Sequence, residues 1–236
     1  MKFTYILGIR FFDGTIDELL CNSQDAGLIV VPSAPVLVNM FEDNTTKEAL
    51  RNADFAIADS GLMVWLWFIR KGKWINRISG LKYLRYLIRY RHLIEKNSTF
   101  WVMPNKEDSE INVAWLKNEG IILEDNNIYI APIYSNISIE DTILLKKINL
   151  SKPKYIILNI GGGVQEKLGY YLKKNITYKP TIICTGAAIA FLSKRQAYIN
   201  PVFDAIMIGW FIRIIYKPII FIPRYLKAIK LIYYLK

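Results

Sequence analysis

The amino-acid sequence predicts an α/β fold, a mostly parallel sheet with helices on both faces, extended by a basic, aromatic and helical C-terminal appendage. Three observations predict it. Apolar runs of strand length alternate with segments of helical periodicity along most of the 236 residues, as a helix-covered sheet requires. Several of those runs are apolar throughout, as expected of parallel strands buried on both faces. Beyond residue 195 the strand pattern stops, and Lys and Arg interleave with Leu, Ile, Tyr and Trp.

Seven strands are expected, at 4–9, 28–31, 55–58, 99–103, 128–131, 155–160 and 181–184. Between them lie helices with recognisable starts. Thr15 and Glu18 have the spacing of a capping box, and so do Ser138 and Asp141 ahead of the periodic segment 143–148. A helix is expected from Leu62, for which Asp59 has a competing role as N-cap, and another opens at Gln165-Glu166. Over 81–96, Lys82, Arg85, Arg89, His92 and Lys96 recur every three or four residues and form one cationic stripe. A solvated face is the ordinary reason for such a stripe, and His92, the only histidine, is read as a surface residue. The domain organisation expected is a catalytic core over 1–195 and a membrane-associating appendage over 196–236.

Hydrophobic residues make up 53% of the chain and charged residues 22%, a globular core with additional apolar surface. The short apolar run after Met1-Lys2 is broken by Arg10 and Asp13, unlike a signal peptide. Cys21 and Cys184 provide no disulfide framework. The net charge of +11 concentrates in two stretches, nine Lys/Arg over 70–96 and eight over 194–236. In the second, cations alternate with apolar and aromatic side chains, the pattern of an interfacial helix at an anionic membrane surface rather than of a nucleic-acid binder. Arg213, Lys217 and Pro218 interrupt the run 205–222, which disfavours a membrane span.

The run 158–166, Leu-Asn-Ile-Gly-Gly-Gly-Val-Gln-Glu, carries the strongest chemical signal. A buried strand, a turn without side chains at Gly161, Gly162 and Gly163, and a helix N-terminus together make an anion site. The anion usual in such a crevice is a nucleotide diphosphate. A second candidate is Asp59, at the end of an apolar strand and followed by Ser60-Gly61, where open α/β sheets bind ligands. An Asp there can accept a proton from a substrate hydroxyl. Ser33 ends the preceding strand similarly, and Tyr134 lies in a third loop. No metal-binding motif is present, neither paired cysteines nor Asp-x-Asp, so backbone amides with Arg or Lys are left to meet a diphosphate. No cofactor is expected.

Taken in order, LGIRFFDGTIDELL, ALRNADFAIADSGLMV, RISG, GGGVQE, CTGAAIAFL and GWFIR…KP…PRY resemble the WecG/TagA/CpsF glycosyltransferases of bacterial cell-surface polymer synthesis over nearly the whole length. The resemblance implies a Rossmann-like core and a C-terminal appendage working at the cytoplasmic face of the membrane. It implies inverting, metal-independent transfer of a sugar such as N-acetylmannosamine from a UDP donor to a polyprenyl-diphosphate-linked acceptor, in polysaccharide or teichoic acid synthesis. Asp59 then matches the general base, with Ser60, Arg77 and Gly80 on the acceptor side. Gln165 and Tyr134 match donor-binding positions, and Arg213 and Arg224 match appendage arginines that reach the phosphates; Ser33, the three glycines, Glu166, Thr185 and Gly186 are further donor-side candidates. Association through the core into a homo-oligomer is also implied. The chain departs from the family at Val31 and Ser33, where Thr and Asn are usual, and near Ala190, where an Asp is usual. These losses leave one alternative, a non-catalytic nucleotide-binding scaffold in a membrane assembly complex.

Overall fold

The computed structural model describes residues 1–23, 27–89, 98–135, 139–195, 215 and 218–235. Eight strands form one sheet: β1 (Phe3–Ile6), β2 (Ile9–Phe12), β3 (Leu28–Val30), β4 (Phe55–Ala56), β5 (Thr99–Met103), β6 (Ile128–Ile130), β7 (Tyr155–Leu158) and β8 (Thr181–Cys184). Their order is β1-β2-β4-β3-β8-β7-β5-β6. Only β1 and β2 are antiparallel; every other neighbouring pair is parallel.

The strand expected at 4–9 is divided by a hairpin turn: residues 4–6 belong to β1, and Ile9 opens β2. Leu7 and Gly8 adopt φ of 56° and 77°, the positive pair that a tight two-residue hairpin loop uses. The chain reverses there and pairs Ile6 with Ile9. It is β2 that joins the parallel sheet, through Phe11 opposite Ala56. The other six expected strands form, several ending one or two residues early.

Alternate strand residues feed two apolar layers, as the two-residue period of a strand dictates. Leu28, Val30, Phe100, Val102, Ile156, Leu158, Ile182 and Cys184 face one layer. It is completed by α2 (Ala34–Asn39), α3 (Asn44–Arg51), α4 (Gly61–Lys71), α7 (Thr142–Ser151) and α8 (Val164–Asn175). Ile29, Val31, Trp101, Met103, Tyr155, Ile157 and Ile183 face the other, under α1 (Ile16–Asn22), α5 (Gly80–Arg89), α6 (Lys106–Asn118) and α9 (Ala188–Leu192). This is the doubly covered sheet expected from the unbroken apolar runs.

Helix starts follow their capping chemistry. Thr15 and Glu18 close the expected box on α1: the Glu18 amide donates to Thr15 Oγ1 at 3.3 Å, and the Thr15 amide to Glu18 Oε2 at 2.8 Å. Before α7 the cap is Asp141 itself, which accepts from the Leu144 amide at 2.8 Å; Ser138 lies outside the described residues. On α5, Tyr83, Leu84, Leu87 and Ile88 are buried while Lys82 and Arg89 are exposed, so the cationic stripe is a solvated face as far as residue 89. His92 and Lys96 lie outside the described residues.

The chain ends in α10 (Pro218–Ile229) and α11 (Leu231–Tyr234). Ala228, Leu231 and Leu235 are buried in the first apolar layer, Tyr234 stacks on Phe41 at 3.8 Å, and Lys227 pairs with Glu42 at 2.6 Å. Among the described residues no helix is long and apolar enough to cross a membrane.

Asp43 ties two helices together. Its carboxylate caps α3 through the Thr45 and Thr46 amides and hydroxyls, and it receives Lys167 Nζ of α8 at 3.0 Å. Burial raises its pKa, but the two threonines and Lys167 outweigh that and hold the carboxyl well below the ordinary range. The stabilisation is therefore complete above about pH 4 and is lost as pH falls below that toward the depressed value. Asp43→Ala is expected to lower unfolding free energy by about 2 kcal/mol at neutral pH. In urea denaturation the gap between the two proteins should narrow steadily once the pH drops below 4.

Candidate functional site

Because β2 through β6 run parallel, the carboxyl ends of β4, β3, β8, β7, β5 and β6 line one edge. From β5 the chain crosses outward through α6 to β6, and from β7 it crosses the other way through α8 to β8. The connections diverge between β7 and β5, and open sheets of this kind bind ligands at such a switch point. The glycine run leaves β7 there.

Gly161 and Gly162 are exposed, and Gly163 is buried at φ 90°. A Cβ on Gly162 would lie 2.9 Å from Val36 Cγ2 of α2, so any larger residue forces the two segments apart. Beneath the loop sits a buried polar brace. The Gly163 amide donates to Glu166 Oε2 at 2.6 Å, and Gln165 Nε2 donates to Glu166 Oε1 at 3.0 Å. Gln165 Oε1 accepts from the Gly186 amide at 2.7 Å, joining the loop after β7 to the loop after β8. Gln165 and Glu166 therefore act on the loop from inside; both are buried. Burial raises the pKa of the Glu166 carboxyl, against the lowering effect of Gln165, its own amide, the Gly163 amide and Lys167.

Asp59 follows β4. The N-cap of α4 is the next residue, Ser60, whose Oγ accepts from the Met63 amide at 3.2 Å. That frees the Asp59 carboxyl from capping α4, and its Oδ1 accepts instead from the Gly80 amide at 3.0 Å. Gly80 opens α5, so the carboxylate sits at the N-terminus of that helix. Its Oδ2 takes no hydrogen bond from any described residue. Arg77 Nε donates to the Asp59 carbonyl at 2.7 Å, and the Ile78 amide to the Ala58 carbonyl at 3.2 Å. Asp13 steadies the same segment by accepting from the Asn76 amide at 3.0 Å. A Cβ on Gly80 would meet Val31 Cγ1 at 3.0 Å and the Thr185 carbonyl at 3.9 Å. The start of α5 thus rests on the ends of β3 and β8, between Asp59 and the glycine loop.

The remaining expected residues are distributed along the edge. Ser33 begins α2 without a side-chain capping bond, and Thr185 is buried, its hydroxyl on Asn159 Oδ1 at 3.1 Å. Tyr134 stands beyond β6, at the far end from Asp59; its hydroxyl donates to Asp141 at 2.7 Å, which together with burial raises its pKa. Arg224 is exposed on α10. Arg213 lies outside the described residues. Sequence reasoning missed Asn159, a buried amide whose Nδ2 reaches the Val102 and Ile157 carbonyls at 3.3 Å, and Lys167, which is buried on Asp43. A lone Asn closing an apolar strand was the available signal for the first. Among the described residues no three His, Cys, Asp or Glu side chains are grouped to hold a metal ion.

A parallel sheet with a glycine loop at its switch point, and a carboxylate on the same edge, defines a doubly wound α/β protein. The chain belongs to the Glycosyl transferase WecG/TagA/CpsF family, whose model matches residues 4–235, and it is a glycosyltransferase. Curated protein sequences give no match.

Glu166→Gln tests the brace. The new amide can accept from Gly163 or from Gln165 but not from both, leaving one buried donor unpaired at a cost of about 1–3 kcal/mol. Thermal denaturation should show that loss, together with weaker UDP binding by calorimetry; unchanged values for both would mean that the brace is dispensable.

Proposed function

We propose that the protein transfers a sugar, with inversion, from a nucleoside-diphosphate donor, UDP in the first instance, to a polyprenyl-diphosphate-linked sugar during bacterial cell-surface polysaccharide or teichoic acid synthesis. The observation that carries this reading is the Asp59 carboxyl, held by one oxygen on the Gly80 amide and following β4 on the same sheet edge from which the glycine loop emerges. In the reaction the acceptor hydroxyl gives its proton to Asp59 while its oxygen bonds to the anomeric carbon. The bond from that carbon to the diphosphate breaks, and its electron pair leaves on the phosphate oxygen. The glycine amides and the N-terminus of α8 meet the charge of the departing diphosphate, with Arg213 and Arg224 supplying cations and no metal required. Ser33, Thr185 and Gly186 line the donor side, and Ser60, Arg77 and Gly80 shape the acceptor side.

Residues 196–236 act as an appendage that holds the core, residues 1–195, to the cytoplasmic face of the membrane, where the lipid-linked acceptor lies. The exposed Ile219, Ile222, Leu226 and Ile229 of α10, with the exposed Arg224, support this. Homo-oligomer formation through the core is a further part of the reading.

Asp59→Asn keeps an oxygen for the Gly80 amide and removes the base. Transfer from labelled UDP-sugar to a polyprenyl-diphosphate acceptor should fall by about 10²–10⁴-fold, with UDP binding retained in calorimetry. Undiminished turnover would remove Asp59 from the mechanism.

A further inference from the structure

Helix α4 starts two residues after Asp59 and reads Gly-Leu-Met-Val-Trp-Leu-Trp-Phe-Ile-Arg-Lys, apolar on every face up to its last two residues. Such a helix is ordinarily covered on all sides. Here Met63 and Val64 are buried, yet Trp65 is 50%, Phe68 42% and Ile69 70% exposed. Their spacing, i, i+3 and i+4, makes them one stripe. Trp74, in the following segment, packs edge-on against Trp65 at 5.5 Å and Phe68 at 5.6 Å, so three aromatic rings stand together at the surface. Arg70, Lys71 and Lys73 are exposed beside them, and no acidic residue occurs between Asp59 and Glu95 in the sequence.

The C-terminal helices touch the end of α4 and carry an exposed apolar stripe of their own. Arg70, near the end of α4, donates to the Ile232 carbonyl at 3.3 Å. On α10 and α11, Ile219, Ile222, Leu226, Ile229 and Tyr233 are exposed. They recur at alternating intervals of three and four residues, opposite to the buried Ala228 and Leu231.

We propose that the α4 ridge of Trp65, Phe68, Ile69 and Trp74 is a second membrane-contacting surface, seated with the α10–α11 stripe in the headgroup–acyl boundary of an anionic phospholipid bilayer. The inference rests on the peripheral-membrane reading above and extends it from the appendage to the core. The charge pattern selects this occupant. Tryptophan settles at headgroup level, where its ring is apolar on its faces and polar at its N–H, and unopposed cations gain from anionic headgroups. A symmetric contact between two copies would set Arg70, Lys71 and Lys73 against cations of the same patch. The consequence for the site is geometric. At a rise of about 1.5 Å per residue, α4 places Asp59 within roughly one helix length, about 16 Å, of the ridge, so a sugar carried on a membrane lipid is presented to it from that side.

The test is flotation of the full chain with vesicles of phosphatidylcholine alone or mixed with phosphatidylglycerol. Trp65→Ser with Phe68→Ser should weaken partitioning into the mixed vesicles by at least about tenfold; Ile69→Ser should act in the same direction if the double variant is unstable. Lys71→Glu with Lys73→Glu should weaken binding to the mixed vesicles and leave binding to phosphatidylcholine unchanged. If the unaltered chain binds neither vesicle, the membrane reading itself fails. If it binds and the α4 variants bind equally well, the appendage alone is the anchor and this proposal is overturned. Light scattering supplies the remaining outcome: a dimer dispersed by the Trp65 and Phe68 substitutions would make the ridge an interface between copies and overturn it too.

Discussion

The direction of six strands is the constraint on which the site depends. Asp59, Ser33, Thr185, Gly186 and the three glycines come from four distant parts of the chain, and only parallel pairing of β4, β3, β8 and β7 brings them to one edge. A strand spacing of about 4.8 Å sets β4 and β7 about 14 Å apart. That interval holds the Ser33 loop, the Thr185-Gly186 loop and the start of α5.

Parallel pairing alone leaves loops free to move, and buried polar contacts restrain them here. Asn159 holds the ends of β5 and β7 together and receives the Thr185 hydroxyl; Gln165 links the glycine loop to Gly186; Glu166 holds both Gln165 and Gly163. Each of these groups is buried, so each lost partner leaves an unpaired polar atom and each restraint is correspondingly firm. The Arg77–Gly80 segment is restrained more simply, by hydrogen bonds from the Arg77 side chain and the Ile78 and Gly80 amides to the Asp59 carbonyl, the Ala58 carbonyl and the Asp59 carboxylate respectively. Open edges and fixed supports are what electrostatic stabilisation of a leaving group requires.

Much of this was legible in the chain. The apolar runs at 99–103, 155–160 and 181–184 announced buried parallel strands, and the abrupt change from apolar residues to glycines announced the loop. Asp59 was recognisable because a carboxylate has no packing reason to end such a strand. The hairpin was not legible, since Leu7-Gly8 lacks the Asn-Gly or Asp-Gly signature and a leucine at positive φ is set by the pairing of its flanks. The competing capping role of Asp59 falls to Ser60, and the sequence could not separate the two because Asp and Ser are equally good capping residues. What decides between them is the Gly80 amide, twenty-one positions away, which claims the carboxylate. The inward turn of Gln165 and Glu166 was hidden for a similar reason: polar residues at a helix start ordinarily face solvent, and here Gln165 bonds to the loop of another strand while Glu166 bonds to Gln165 and the Gly163 amide. The exposure of α4 was hidden too, because its composition is that of a core helix.

The central claim is that the glycine loop and the Asp59 edge form one binding cleft. It is tested most directly by following backbone amide resonances of the full chain during titration with UDP. Saturable shifts at Gly161, Gly162 and Gly186, with smaller ones around Ser33 and Gly80, are the predicted result. Shifts confined to the opposite edge of the sheet or to the β1–β2 hairpin, with the glycine loop unmoved, would contradict it.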